Sequence, residues 1–159
     1  PVFIRLRSKF PSETDKRMEG YLSACKDFGI EAEYLDEIDP PQSSLYIRAF
    51  LEKHRDPSGR LTFDGLFANT DSQGYLAMKI LKEMGYRIPQ DVQLLGYDGI
   101  RKLGIDPESL YLSSMCQPVE ELARLCVEIL LKKRQGAIVP SLSLLPVSYA
   151  YGGTTRQES

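Results

Sequence analysis

Apolar residues along the 159-residue chain follow two rhythms that replace one another several times. Short runs of consecutive apolar residues mark buried strands, and stretches where they return every three or four positions mark helices. Val2-Phe3-Ile4-Arg5-Leu6 is the first run. Pro11 and Ser12 then open a helix, with Asp15 three residues after Ser12 as a capping-box partner. Met18, Tyr21, Leu22, Cys25 and Phe28 recur along it at helical spacing. Gly29 ends it as a left-handed cap does. From Ile30 to Leu35 apolar residues alternate with glutamates, which predicts a strand with one exposed face or an edge position. Asp39-Pro40-Pro41-Gln42 is a loop, a helix follows from about Ser43 to His54, and Asp56-Pro57-Ser58-Gly59 is a turn.

The middle of the chain has the sharpest pattern. Asp64-Gly65-Leu66-Phe67-Ala68-Asn69 reads as a buried strand, and Asp71 as the cap of a helix with the stripe Leu76, Ala77, Ile80, Leu81 and Met84. Gly85 stops that helix and Pro89 bars its return. Val92-Gln93-Leu94-Leu95-Gly96-Tyr97 is another buried strand, and a loop with Gly99, Gly104 and Pro107 leads to a short strand near Leu112. Pro118 suits a first helical turn, and Val119, Leu122, Ala123, Cys126, Ile129 and Leu130 form a stripe that ends at Gly136. Leu142 to Tyr149 is a last strand, placed at an edge or crossing point by Pro146. Strands separated by helices predict an α/β fold, with a mainly parallel sheet and helices on both faces.

Composition narrows this picture. With 42% hydrophobic and 26% charged residues the chain can fill a core and is not a disordered segment. No apolar run approaches the ~20 residues that span a bilayer, so no membrane partner is expected. A net charge of -2 offers no basic face for phosphates. The one tight cluster, Lys132-Lys133-Arg134, reads as favourable charge at a helix end or as a small basic patch. Cys25, Cys116 and Cys126 form no CxxC, and Cys25 and Cys126 fall on apolar helix faces. Buried, reduced thiols in a cytosol are therefore expected. The opening Pro1-Val2-Phe3-Ile4-Arg5 is neither a start methionine nor a signal peptide, and suggests a start partway through a larger protein.

Catalysis finds little support. The only histidine, His54, falls in the last turn of a helix, which suits a dipole role or plain exposure. No HExxH, GxGxxG after a strand or GxxxxGK[ST] is present, so no enzyme, metal or cofactor is expected. In open parallel sheets, ligands bind beyond the carboxyl ends of the strands. Polar residues gather there: Arg7, Ser8 and Lys9 with Arg17 on the next helix, then Asn69, Thr70 and Asp71, then Asp98. Each hydroxyl of a sugar both donates and accepts, so carboxylate, guanidinium, amide and hydroxyl together suit a polyhydroxylated ligand. Each residue also has a plainer reading: Asp71 as a helix cap, Asp98 beside Gly99 as turn chemistry, Arg17 facing water.

Five segments, in order, carry a resemblance. They are Arg17-Met18-Glu19-Gly20-Tyr21, the stretch from Phe63 to Asp71, the stretch from Leu81 to Asp98 with its Ile88-Pro89-Gln90-Asp91-Val92 and Gly96-Tyr97-Asp98, Ser113 to Pro118, and Leu145-Pro146-Val147 with Gly153-Thr154-Thr155. Together they resemble the LacI/GalR family of bacterial transcription regulators. The resemblance implies a periplasmic-binding-protein-like (type I) fold. In it two α/β lobes close over a small effector and alter a dimer that holds two DNA-reading heads. This chain would be the C-terminal effector lobe of a cytoplasmic repressor of a carbohydrate operon. It would bind a sugar or sugar derivative, and reach operator DNA only through a helix-turn-helix lying before Pro1. Residues 1–117 would form the lobe, 118–147 would cross to the absent N-terminal lobe, and 148–159 would be a return strand and tail.

Carried over by position, Arg17 and Asp98 would clamp the effector. Thr70, beside Asn69, would add a polar contact, and Gln117 would lie at the hinge near the ligand. Glu13 stands where the family often has Ser or Thr, which alters the expected ligand choice. The loop from Asp36 to Pro41 lacks the family's aromatic platform, and the chain has no Trp. Dimer contacts would fall at Tyr75, read as off its helix's main stripe, and at Leu103 and Ile105 in an apolar loop. Tyr75 also reads as an amphipathic surface tyrosine. An extracytoplasmic sugar-binding protein of a transporter shares the fold, and a secretion signal before Pro1 would distinguish it. In the family the helix from Pro118 to Arg134 packs on the first lobe. In this chain its stripe is expected to fold back on its own lobe or onto a neighbouring chain, since each buried aliphatic side chain is worth ~1.5–3 kcal/mol.

Overall fold

The computed structural model describes residues 1–6, 13–37, 40–100 and 111–157. Strand β1 (Val2–Leu6) is followed by helix α1 (Glu13–Asp27), strand β2 (Glu33–Glu37), a 3-10 turn at Pro40–Gln42 and helix α2 (Ser43–Lys53). Strand β3 (Gly65–Ala68), helix α3 (Asp71–Glu83), strands β4 (Gln93–Asp98) and β5 (Ser113–Cys116), helix α4 (Val119–Arg134) and strand β6 (Ser148–Ala150) complete it. The strands form one sheet in the order β2-β1-β3-β4-β5-β6. β1 to β5 are parallel, and β6 joins β5 antiparallel at the edge. The mainly parallel α/β fold is therefore as expected. β2 lies at the other edge, as its alternating glutamates implied, but starts at Glu33 rather than Ile30. The last strand is much shorter than Leu142 to Tyr149. Pro146 has no N–H for the ladder, and pairing begins only at Ser148.

Successive strand residues face opposite sides. Val2, Ile4, Leu66, Ala68 and Leu94 pack with Ile47 and Leu51 of α2 and Ala77, Ile80 and Leu81 of α3. On the other face Phe3 stacks on Tyr21 of α1, with centroids 5.2 Å apart, and meets Phe67 edge-on at 5.1 Å. Met18 and Cys25 fill the rest of that smaller cluster.

Several expectations are corrected here. Leu22 and Phe28 do not join the α1 stripe. Met18, Tyr21 and Cys25 already cover the sheet, and Phe28, past the helix end, is 80% exposed. Tyr75 is on the buried side of α3, with Gly74, Ala77 and Met78, not off it. His54 is buried, with Nδ1 2.8 Å from the Phe50 carbonyl, Nε2 3.2 Å from Glu33 Oε2, and its ring against Phe50 and Phe63. Its ring is an aromatic core element with two polar tips, not an exposed helix end. Cys25 is buried and free, whereas Cys126 is exposed and Cys116 half-buried.

The largest correction concerns α4. No residue of that helix is buried, and Leu130 is 66% exposed. The stripe has the predicted spacing but does not fold back on its own lobe. The chain leaves β5 at Cys116, runs away as α4, and returns only at Ser148.

Tyr21 anchors α1 through its hydroxyl, 2.9 Å from the Glu33 carbonyl and 3.1 Å from the Pro1 carbonyl. Burial pushes the phenol above its ordinary range, because the ionised form loses its hydration. An acid with a raised folded pKa adds stability below its unfolded value of about 10, and loses it as pH rises further. Tyr21→Phe is expected to lower stability by ~1 kcal/mol at pH 7. It should also flatten the loss of stability above pH ~10. Urea melts of both proteins across pH 7 to 11 measure this; parallel curves would exclude Tyr21 as the titrating group.

Candidate functional site

The carboxyl ends of β1, β3, β4 and β5 share one rim of the sheet, because these strands are parallel neighbours. Arg17, one turn into α1, lies across that rim. Its Nη1 donates to the Asn69 carbonyl at 2.7 Å, and its Nη2 donates to Asp98 Oδ1 at 3.2 Å. Its guanidinium carbon stands 3.9 Å from the centre of the Tyr97 ring. Gln117, just after β5, donates from Nε2 to the same Asp98 oxygen at 2.9 Å. The side chains of Arg17 and Asp98 remain 16% and 22% exposed, so the pair is desolvated on the protein side and open on the other. Such a pair presents spare guanidinium N–H donors and spare carboxylate lone pairs to an incoming polyol.

Asp98 adopts φ +121°, a backbone conformation rare for any residue but glycine. A buried carboxylate holds that turn. Asp71 accepts from Ser114 Oγ at 2.7 Å and from the Ile100 amide at 2.5 Å, and Ser114 Oγ accepts from the Gly99 amide at 3.1 Å. Asp71 has no exposed surface. Its place in the first turn of α3 adds the favourable end of the helix dipole to those donors. The cap of α3 is Thr70, whose hydroxyl accepts the Gln73 amide, so the expected capping role of Asp71 is corrected.

The structure thus gathers Arg17, Asn69, Asp98 and Gln117. Asn69 is fully buried, and among the described residues neither polar atom of its side chain has a hydrogen-bond partner. Thr70 is adjacent but serves its own helix. The side chain of Glu13, and Leu103 and Ile105, lie outside the described residues, as do Arg7, Ser8 and Lys9. Sequence reasoning missed Tyr97, although it stands beside Asp98 in the Gly96-Tyr97-Asp98 signature. It also missed Arg5, whose guanidinium grips Asp36 at 3.1 and 2.7 Å and Asp15 at 2.5 Å. Burial lowers the pKa of Arg5, but the two carboxylates outweigh it and hold the group above its ordinary value. This cation is committed to tying β2 and α1 to β1. A cleft of about 1030 Å³ opens at the opposite, amino-terminal edge, between Pro1, Glu33, His54, Arg60, Asp64 and Arg87. It lies at the wrong end of the strands to join the Arg17–Asp98 centre. Among the described residues no cluster of His, Cys, Asp and Glu is arranged for a metal, and no helix is long and apolar enough to cross a membrane.

This sheet order, with polar groups at its carboxyl rim, has a counterpart among known families. The family model for the periplasmic binding protein-like domain matches residues 2–155. The chain belongs to that family. Among its relatives, this periplasmic binding protein-like domain is 27% identical over 152 residues to a sucrose operon repressor of Streptococcus mutans, covering 96% of the chain and 44% of the relative. The fold matches that of a LacI family transcriptional regulator from Arthrobacter sp. FB24 in complex with lactose. There the TM-score is 0.77 at 23% identity, over 98% of this chain and 56% of that one. It also matches the Lac repressor dimer bound to operator and an anti-inducer, with TM-score 0.76 at 22% identity, over 97% and 51% of the two chains. The domain therefore spans about half the length of these relatives.

Proposed function

We propose that this domain is the ligand-sensing part of a DNA-binding transcription regulator, a repressor of a carbohydrate operon, and that it binds a small sugar-like effector. The observation that carries the reading is the convergence of Arg17, Asn69, Asp98 and Gln117 on one open rim. The open half of the cleft would be closed by a first lobe in the whole protein. Residues 118–147 would cross to that lobe, and its surface would cover the apolar side of α4. Operator DNA would be read by a separate helix-turn-helix, and the protein would act in the cytoplasm without catalysing a reaction. A homodimer would form along α3, where half-buried Leu76 and the edges of the buried Tyr75 and Met78 line an apolar groove flanked by Lys79 and Lys82. Leu103 and Ile105 would add to that interface. Relatives named as repressors favour this reading over a transporter's extracytoplasmic sugar-binding protein, which shares the fold.

The test is a titration of the whole protein on its operator fragment with sucrose, lactose, D-ribose and D-xylulose, followed by fluorescence anisotropy. At least one sugar is expected to change operator affinity about tenfold or more, the usual scale of an allosteric coupling. Operator affinity that none of the four sugars alters would remove the effector reading.

A further inference from the structure

Gln73, in the first turn of α3, makes two contacts that its own helix does not need. Its Nε2 donates to the Leu6 carbonyl at 2.8 Å, and its Oε1 accepts the Leu6 amide at 3.3 Å. Leu6 is the last residue of β1. A carboxamide carries the same donor and acceptor as a peptide group, so Gln73 presents one more rung to the end of the strand.

The register shows what that rung replaces. β1 and β3 pair up to Ile4 beside Ala68, and the Asn69 amide donates to the Ile4 carbonyl at 2.9 Å. In a parallel ladder a residue gives its N–H to one neighbour and takes, at its C=O, the N–H two residues further along that same neighbour. Continued regularly, the Leu6 amide would therefore donate to the Asn69 carbonyl. It donates to Gln73 instead, and the Asn69 carbonyl accepts Arg17 Nη1 at 2.7 Å.

We propose that Gln73 is a positioning residue for the effector site: by taking the Leu6 amide, it releases the Asn69 carbonyl to hold the Arg17 guanidinium against Asp98. The proposal rests on the effector reading above. It makes the acceptor oxygen of Gln73 the important atom for ligand binding, and the donor nitrogen important only for the rung. Without that oxygen, the Leu6 amide competes with Arg17 for the Asn69 carbonyl. Among the described contacts, Arg17 then keeps its Asp98 bond and its place over Tyr97.

Two variants of the whole protein separate these roles. Gln73→Leu removes both bonds, while Gln73→Glu keeps an acceptor and loses the donor. The readouts are the sugar concentration for half-maximal change in operator binding, with the four-sugar panel, and the melting temperature. Gln73→Leu is expected to raise that concentration about tenfold, the scale of one lost hydrogen bond to a charged group. Gln73→Glu should stay close to wild type on that measure while melting no higher than Gln73→Leu. A Gln73→Leu protein that responds at wild-type sugar concentrations overturns the proposal. So does Gln73→Glu impaired as much as Gln73→Leu, which would make Gln73 a strand-end brace alone. Either result leaves the effector reading intact, provided the wild-type protein responds. A wild-type protein that ignores all four sugars overturns the effector reading and this role together.

Discussion

Replacing Asp98 with alanine is expected to abolish the sugar response, weakening effector binding by about a hundredfold or more. One carboxylate oxygen accepts from both Arg17 and Gln117, so a single substitution unties two elements, α1 and the segment after β5. Arg17 is left largely buried with no charge partner among these contacts, and removing one member of a desolvated pair costs ~3 kcal/mol or more. Any sugar hydroxyl that donates to the carboxylate loses a charge-assisted bond as well. Two charge-assisted bonds to the effector, lost at ~1.5 kcal/mol each, correspond to roughly a hundredfold in affinity. Calorimetric titration of the whole protein with the most active sugar of the panel measures it. Asp98→Asn keeps the shape and one acceptor oxygen, and should fall between wild type and alanine. Asp98→Ala that binds sugar with unchanged affinity would place the effector elsewhere.

Gly96→Ala is expected to destabilise the domain by ~2–4 kcal/mol, as overpacking a closed core does. A methyl group at Gly96 would stand 2.5 Å from Leu112 Cδ2 and well inside contact distance of Asp71 Oδ1. Asp71 cannot swing aside cheaply. It is fully buried, and it holds Ser114 and the Ile100 amide. Displacing it would release the turn that keeps Asp98 at positive φ, so sugar response should fall together with stability. The expected drop in melting temperature is several degrees. Gly20→Ala is the control, since a methyl there meets nothing within 4 Å and α1 gains helix propensity. Equal melting temperatures for Gly96→Ala and wild type would mean that β4 and α3 are less closely packed than the register implies.

Much of the rim was legible because its residues adjoin strand ends. Asn69 and Asp98 each follow an apolar run and Arg17 lies in the first turns of the next helix, and parallel strands bring such positions together whatever the loop lengths; Gln117 came only from the family resemblance. Asp71 was misread for a local reason. An aspartate after a strand and before a helix looks the same whether it caps its own helix or reaches under β4 to Ser114, 43 residues away. His54 was misread because its partner Glu33 is 21 residues distant, on the edge strand.

Local periodicity by itself determined the elements and their order. The repeat of 3.6 against the runs of consecutive apolar residues depends only on neighbours in the chain, and glycines at φ +64° and +87° end α1 and α3 where the pattern stops. It also determined that α4 has an apolar side. Only the tertiary structure decided what each side meets. The sheet order set Tyr75 facing inward, gave the Leu6 amide to Gln73 and the Asn69 carbonyl to Arg17, and left α4 standing off its own sheet. The physical reason is that an apolar stripe records a need to leave water without recording the surface that satisfies it, and a hydrogen-bonding group records a valence without a partner.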